Sequence, residues 1–446
     1  MAVEAPESTA GTAGTAGTAG TAAGAGGRSP VLEMTADPAD LGFDAERLQR
    51  IDAHFGRYVD DGRLVGWQAL VSRRGSVAHL ASAGQRDREA GLPVDPDTLW
   101  RIYSMTKPIT SVAAMMLVEQ GLLDLKDPVS AYIPSFAQSR VLRGGSATTP
   151  LTDPVTSPML VWHLMTHTAG LTYGFHHAAL TDRFYREAGF EWGTPPGLDL
   201  AALCDIYAGL PLAFQPGTAF NYSVATDVLG RIIEVVSGQP LDTFLTEHIL
   251  APLGMVDTAF SVEDEDAERL AALYIPHPAT QQAVRNDAFG NAIRRPPSAL
   301  SGGGGLVSTL HDYHRFTQML LRGGELDGVR LLGSRTMRYM TRNHLPGGVD
   351  LEAFGQATFA ETSFDGVGFG LGFSVVQNPV ANKTLSTAGE FAWGGAASTA
   401  FWVDPVEQIT VIFMTQLLPS SKWPIRPELK KLVYGALVDQ PPGGTW

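Results

Sequence analysis

The sequence predicts an α+β fold: one antiparallel sheet flanked by helices, with a mostly helical domain inserted between the two halves of the sheet. Three observations carry that expectation. β patterning is concentrated near the two ends of the 446-residue chain, the middle reads as helix, and 44% hydrophobic residues give ample apolar surface to bury. The expected division is 40–138 with 300–446 as the α/β domain, 139–299 as the helical domain and 1–39 as a disordered tail.

The tail begins MAVEAPESTAGTAGTAGTAGTAAGAGG, and its Ala, Gly and Thr bury too little surface to offset the entropy of ordering. It lacks the basic and Leu-rich stretches of a secretory signal, so a cytoplasmic protein is expected. Order begins near Asp44, an N-cap for a helix with Leu48, Ile51, Phe55 and Tyr58 on one face. GWQALVSRRGSVAHLASAG (66–84) holds two apolar or β-branched runs around an Arg/Gly segment, a β-hairpin. ITSVAAMMLVEQ (109–120) is apolar nearly all round and stops at Gly121, as a buried helix does.

From about 140 to 300, segments such as VLGRIIEVVSG (228–238) and LDTFLTEHILAPLG (241–254) read as helices joined by Pro- and Gly-rich loops. The acidic run VEDEDAE (262–268) reads as solvated surface. Thr309 and Asp312 suit another helix start. β patterns return in FGLGFSVVQ (369–377), STAFWVD (398–404) and QITVIFMTQ (408–416), before a last helix in RPELKKLVYGALV (426–438).

Composition removes several functional classes. With 32 basic and 46 acidic side chains, the formal charge of −14 opposes phosphate binding, so no nucleic-acid partner is expected. No run approaches the roughly 18 apolar residues of a membrane span, so no membrane partner is expected either. The single Cys204 cannot form an internal disulfide. His163 and His167 lie four apart, but HLMTH lacks the Glu of HExxH and a third ligand, so they read as structural and no metal or cofactor is expected. His176 and His177 read as loop surface or pocket lining. Gly302 to Gly305 is followed by no GK[ST], which argues against a nucleotide site.

For chemistry, no GxSxG elbow is present. Ser104, Met105, Thr106 and Lys107 form SxxK directly before the buried helix, and that spacing puts both side chains on one face. An amine so placed can take the hydroxyl proton. The motif is short and weak alone, but lysine usage sharpens it: the chain has six Lys against 26 Arg, and Lys107 is the sole lysine among the first 125 residues. Arg, with a pKa above about 12, cannot act as a base, whereas a desolvated Lys can.

Tyr222, in FQPGTAFNYSVATDVLG, follows a PGT turn at a helix start; near a cation it could relay a proton, and alone it reads as a packed aromatic. Trp393, Gly394, Gly395 and Ala396 precede a β run. Paired glycines let backbone approach a ligand, and a strand-edge N–H there could serve an oxyanion; alone they read as a turn.

Taken together, SxxK before a buried helix, Tyr222 after PGT and a Gly-bearing strand near the C-terminus resemble the serine β-lactamase and penicillin-binding-protein superfamily. Within it the chain is most similar to the class C β-lactamase-related family VIII carboxylesterases. LMTHTAGL (164–171), FQPGTAFNYS (214–223), SGGGGLVST (301–309) and GFGLGF (368–373) also look typical, and the resemblance covers about residues 40 to 438. It implies a β-lactamase/transpeptidase-like fold with Ser104 as acyl-accepting nucleophile and Lys107 as its base. Tyr222 would share proton transfer and protonate the leaving alkoxide. The N–H groups of Ser104 and Ala396 would form the oxyanion hole, with Tyr103, Val224, Trp393, Gly394 and Gly395 lining the substrate site.

Two departures separate branches of the superfamily. Trp393 stands where β-lactamases and transpeptidases usually carry a Lys or His that pairs with a substrate carboxylate; an indole cannot replace that charge but can pack an apolar group. Val224 stands where the β-lactam pattern places Asn, so an amide contact to the substrate is lost. Both favour a neutral ester. The expected activity is a serine carboxylesterase hydrolysing small neutral esters through a covalent acyl-enzyme. The alternatives are an acyltransferase using the same acyl-enzyme, a β-lactamase or D-amino-acid peptidase, and a catalytically silent binding protein; the oligomeric state stays open.

Overall fold

The computed structural model describes residues 28–290, 292–355 and 363–439, so the GTA repeat of the expected tail lies outside the described residues. Near the N-terminus, β1 (Gly66–Arg73) and β2 (Ser76–Asp87) form the expected hairpin, and β2 pairs onward with the short β3 (Leu92–Pro93). The later strands are β4 (Val367–Phe369), β5 (Ser374–Val376), β6 (Phe391–Gly394), β7 (Ala400–Asp404) and β8 (Ile409–Thr415). Together they make one eight-stranded antiparallel sheet ordered β4-β5-β6-β7-β8-β1-β2-β3. The two ends of the chain meet where β8 lies beside β1, with Trp67 opposite Thr415 and Arg73 opposite Ile409. FGLGFSVVQ, read as one β pattern, divides into β4 and β5, because the chain turns through Gly370 to Gly372 and Gly372 takes a φ of 93°.

Every residue of β1 and β8 is buried, which is why their sequences read as continuous apolar runs with little polar alternation. Helices α1 (Arg50–Asp60), α2 (Thr106–Glu119), α3 (Ala225–Ser237), α4 (Leu310–Leu321) and α5 (Ile425–Tyr434) cover the sheet and one another. Trp67, Ala69, Val71, Val411 and Phe413 share an apolar cluster with α1 and α5, where Trp67 stacks on Phe413 at 5.8 Å. Leu70, Phe401, Ile412 and Met414 point the other way, into the cluster that holds α2, α3 and α4. Gln318 of α4 reaches into this join, its Nε2 donating to Ser72 Oγ and Thr410 Oγ1 at 2.9 Å each.

The expected first helix splits at Gln49: Asp44 caps the turn Ala45–Leu48 by accepting from the Arg47 N–H, and α1 follows with Ile51, Phe55 and Tyr58 buried. α2 is buried along almost its whole length and ends before Gly121, as its unbroken apolar surface requires. Between 139 and 299 the chain has helices at Leu180–Glu187, Leu200–Gly209 and α3, and also two short hairpins, Arg140–Gly145 with Pro150–Pro154 and Tyr274–Pro276 with Ala283–Arg285. Part of the chain read as Gly- and Pro-rich loop therefore pairs as two separate two-stranded ladders. In the acidic run, Asp266 bonds the buried Arg269 at 3.0 Å, so that segment is tied down and not merely solvated.

Residues 28 to 39, assigned above to the tail, lie against the body. Thr35 N–H donates to Val77 O at 3.1 Å, and Ser29 Oγ donates to Asp312, a fully buried carboxylate that also accepts from the Asp257 N–H and Thr258 Oγ1. The GTA repeat ends at Ala22, and the Ser29 hydroxyl satisfies a buried acceptor, so the tail expectation fails from Arg28 onward. Among the described residues, no helix is long and apolar enough to cross a membrane.

Candidate active site

The chain enters the site through Ile102, fully buried, and then Tyr103, whose φ of 42° is a left-handed conformation that a bulky residue rarely adopts. Such strain persists where surrounding structure dictates it, and here it turns the 3-10 segment Tyr103–Met105 into α2. Ser104 thereby faces a cavity of about 360 Å³. Tyr103, Tyr222, Val224 and Trp393 line the same cavity, as do Gly394, Gly395 and Ala396. Lys107 lies one turn further along α2, and only 1% of it is exposed.

The ammonium nitrogen of Lys107 is 3.2 Å from Ser104 Oγ, 3.0 Å from the Tyr173 hydroxyl and 2.7 Å from Gly303 O. A lysine head has three such directions, and all three are occupied. Tyr222 instead offers its ring face, the nitrogen standing 4.5 Å from the ring centre, while its hydroxyl accepts from Trp393 Nε1 at 3.3 Å. Burial, with Tyr222 and Asp227 nearby, pushes the Tyr173 hydroxyl well above the usual phenol range, so it stays protonated at neutral pH. The hydroxyl that holds Lys107 is thus Tyr173's. That residue stands two positions beyond LMTHTAGL, the one signal in the sequence that marked its neighbourhood.

The motif segments support these groups by bonding to one another. His167 takes a φ of 54° and its carbonyl accepts from the Asn221 N–H at 2.9 Å; Thr168 O accepts from the Gly217 N–H at 2.8 Å, and Leu171 O from Asn221 Nδ2 at 3.0 Å. LMTHTAGL and FQPGTAFNYS are therefore one platform, and it carries Tyr222. In SGGGGLVST, the Gly303 carbonyl is aimed at Lys107 because Asp227 Oδ1 accepts from the Gly303 N–H at 3.0 Å and from Ser301 Oγ at 2.6 Å. From GFGLGF, Phe369 packs edge-on against Trp393 at 5.2 Å. At the end of β6, the Gly395 N–H donates to Thr399 O at 2.9 Å, closing a turn that sets Gly395 against the Ile102 carbonyl just before Ala396.

The histidines serve this scaffold. His163 Nδ1 accepts from the Leu160 N–H at 3.0 Å, and burial lowers its pKa to about 4. His167, packed 4.7 Å from the Tyr222 ring, is lowered well below the usual value by burial and then by the Lys107 charge. His176 Nε2 donates to Tyr222 O at 2.7 Å. An unfolded chain protonates such side chains near pH 6.5, whereas the folded chain accepts a proton on His163 only near pH 4. Stability is therefore full above about pH 6.5 and falls as pH drops toward 4, because only the unfolded state gains protons there. Melting temperature measured across that window should decline, and His163→Gln, which keeps an acceptor without the titration, should flatten part of the decline.

A serine held against a buried lysine, at the floor of a cavity beside an antiparallel sheet closed by both ends of the chain, defines a serine hydrolase. The chain belongs to the beta-lactamase family, whose model matches residues 51–434. It is 38% identical over 363 residues to Protein Rv1367c of Mycobacterium tuberculosis, covering 81% of this chain and 88% of that protein. It is 32% identical over 420 residues to Esterase EstB of Burkholderia gladioli, covering 89% and 98%. Among solved structures, EstCE1, described as a hydrolase with promiscuous acyltransferase activity, matches with a TM-score of 0.73 at 28% identity, over 89% of this chain and 99% of that one.

Proposed function

We propose that the protein is a cytoplasmic carboxylesterase of the family VIII type that cleaves small neutral esters through an acyl-enzyme on Ser104. The observation that carries this reading is the Lys107–Ser104 contact at a cavity lined by Trp393, the residue that the family resemblance puts where a carboxylate-binding cation would stand. As a neutral amine, Lys107 would direct its two N–H bonds at Gly303 O and Tyr173 and its lone pair at the Ser104 hydroxyl. Oγ then attacks the ester carbon as its proton passes to Nζ. The N–H groups of Ser104 and Ala396 hold the oxyanion, each such donor being worth about 3 kcal/mol in comparable enzymes. Collapse breaks the bond to the leaving oxygen, which takes back from Lys107 Nζ the proton that Ser104 gave up. Water repeats the sequence on the acyl-enzyme and releases the acid.

Two side chains favour an ester over a β-lactam or peptide. Trp393 carries no charge to meet a carboxylate, and Val224, 2% exposed, offers no amide. Acyl transfer to an alcohol in place of water is the second reading, favoured by the acyltransferase activity described for EstCE1.

An activated fluorophosphonate should label Ser104 alone, as read by peptide mass spectrometry, and p-nitrophenyl butyrate should give a burst of phenol release. Labelling at another residue, or turnover surviving in Ser104→Ala, overturns the assignment. Product partition with added alcohol separates hydrolysis from transfer.

A further inference from the structure

From Lys107 outward, one wall of the cavity is a succession of aromatic rings. Tyr173, whose hydroxyl holds the Lys107 nitrogen, stacks on Phe175 at 4.6 Å and 17°. Phe175 stacks on Trp192 at 5.4 Å and 15°, and Trp192 meets Phe289 at 6.2 Å. All four rings line the cavity that Ser104 faces. Tyr173 and Phe175 are half-buried, whereas Trp192 is 51% and Phe289 41% exposed. Large exposed apolar side chains normally stand singly; two that meet at the mouth of a reactive cavity, in line with two more inside it, form a surface that a ligand covers.

Mechanism decides which half of the ester lies there. The leaving oxygen must take its proton from Lys107 Nζ, and the wall starts at Tyr173, the ring whose hydroxyl holds that nitrogen. The group attached to the leaving oxygen is therefore directed along the rings. Tyr173, Phe175 and Trp192 lie within 17° of parallel at each step, so they suit a flat guest better than a branched alkyl chain. Glu191 also lines the cavity, and it pairs at 3.2 Å with His177 on the surface, which disfavours an anionic guest.

We propose that this wall is the alcohol subsite, and that the preferred substrates are esters of neutral, planar aromatic or fused-ring alcohols. The inference rests on the acyl-enzyme reading of Ser104. Its test compares 2-naphthylmethyl butyrate with ethyl butyrate, whose alcohols are of similar acidity, and with ethyl 2-naphthylacetate, which carries the ring in the acyl half. Wild type should prefer the first, and in the double variant Trp192→Ala, Phe289→Ala its kcat/KM should fall about tenfold, with ethyl butyrate changed by less than about twofold. A loss confined to ethyl 2-naphthylacetate, or equal losses on all three esters, overturns the proposal. Fluorophosphonate labelling of Ser104 at the wild-type rate in the variant shows the chemistry intact. Failure to label the wild type would instead defeat the acyl-enzyme reading itself.

Discussion

Replacing Lys107 by Arg or by Met should lower kcat/KM for ester hydrolysis at least about a thousandfold, the loss typical when a positioned base is removed. The two variants fail for different reasons, which is why both are informative. Arg keeps a positive charge and can still donate to Gly303 O and Tyr173, but it cannot take the Ser104 proton. Met keeps the approximate length and removes both charge and basicity, at a stability cost of about 1–3 kcal/mol for the acceptors left unpaired. If Lys107 served only as a countercharge, Arg would retain most of the activity. Steady-state kinetics alongside thermal melting separate the two cases, and activity in Lys107→Arg within tenfold of wild type removes Lys107 from the role of base.

Gly395→Ala should lower kcat about a hundredfold with little change in KM, the effect of displacing one donor of the proposed oxyanion hole. A β-carbon at 395 would lie 2.4 Å from Ile102 O and 2.2 Å from Thr399 Oγ1. Neither neighbour can retreat without moving backbone or a buried hydroxyl. Ile102 leads directly to the strained Tyr103 and to Ser104, so the added methyl should change the spacing of the Ala396 and Ser104 N–H groups proposed to hold the oxyanion. Gly394→Ala is the control. Its β-carbon would meet the guanidinium of Arg426, a long side chain that can shift at the cost of its 3.3 Å bonds to Gly395 O and Thr399 O, so the loss should be smaller than at 395. Kinetics showing the reverse order would mean that the 395 turn does not set the oxyanion geometry.

The elements that sequence reasoning found are those whose signal is local. The 66–84 hairpin, α2 and its stop at Gly121, and the apolar run of β8 follow from periodicity and turn residues. Ser104 and Lys107 were legible because three residues of helix fix their relation. Gly303 was not: it acts through a carbonyl, which every residue has, and it meets Lys107 across 196 positions of chain. Tyr173 was missed for the same reason, its contact spanning 66 positions. The orientation of Tyr222, ring face toward the lysine and hydroxyl toward Trp393, depends on packing by His167 that no spacing encodes. Ser29 escaped notice because its partner, Asp312, looked like an ordinary helix-start acid.

The pairing of β1 with β8 also sets a timetable for synthesis. Trp67 must wait for Thr415 before its strand is complete. At about 5 to 20 residues per second, a ribosome takes roughly 20 to 70 s to cover that interval. Throughout it, one edge of β1 is closed by β2, while the other presents unpaired N–H and C=O groups along an apolar strand. The nascent chain thus carries an adhesive edge for most of its translation, until β8 emerges to cover it.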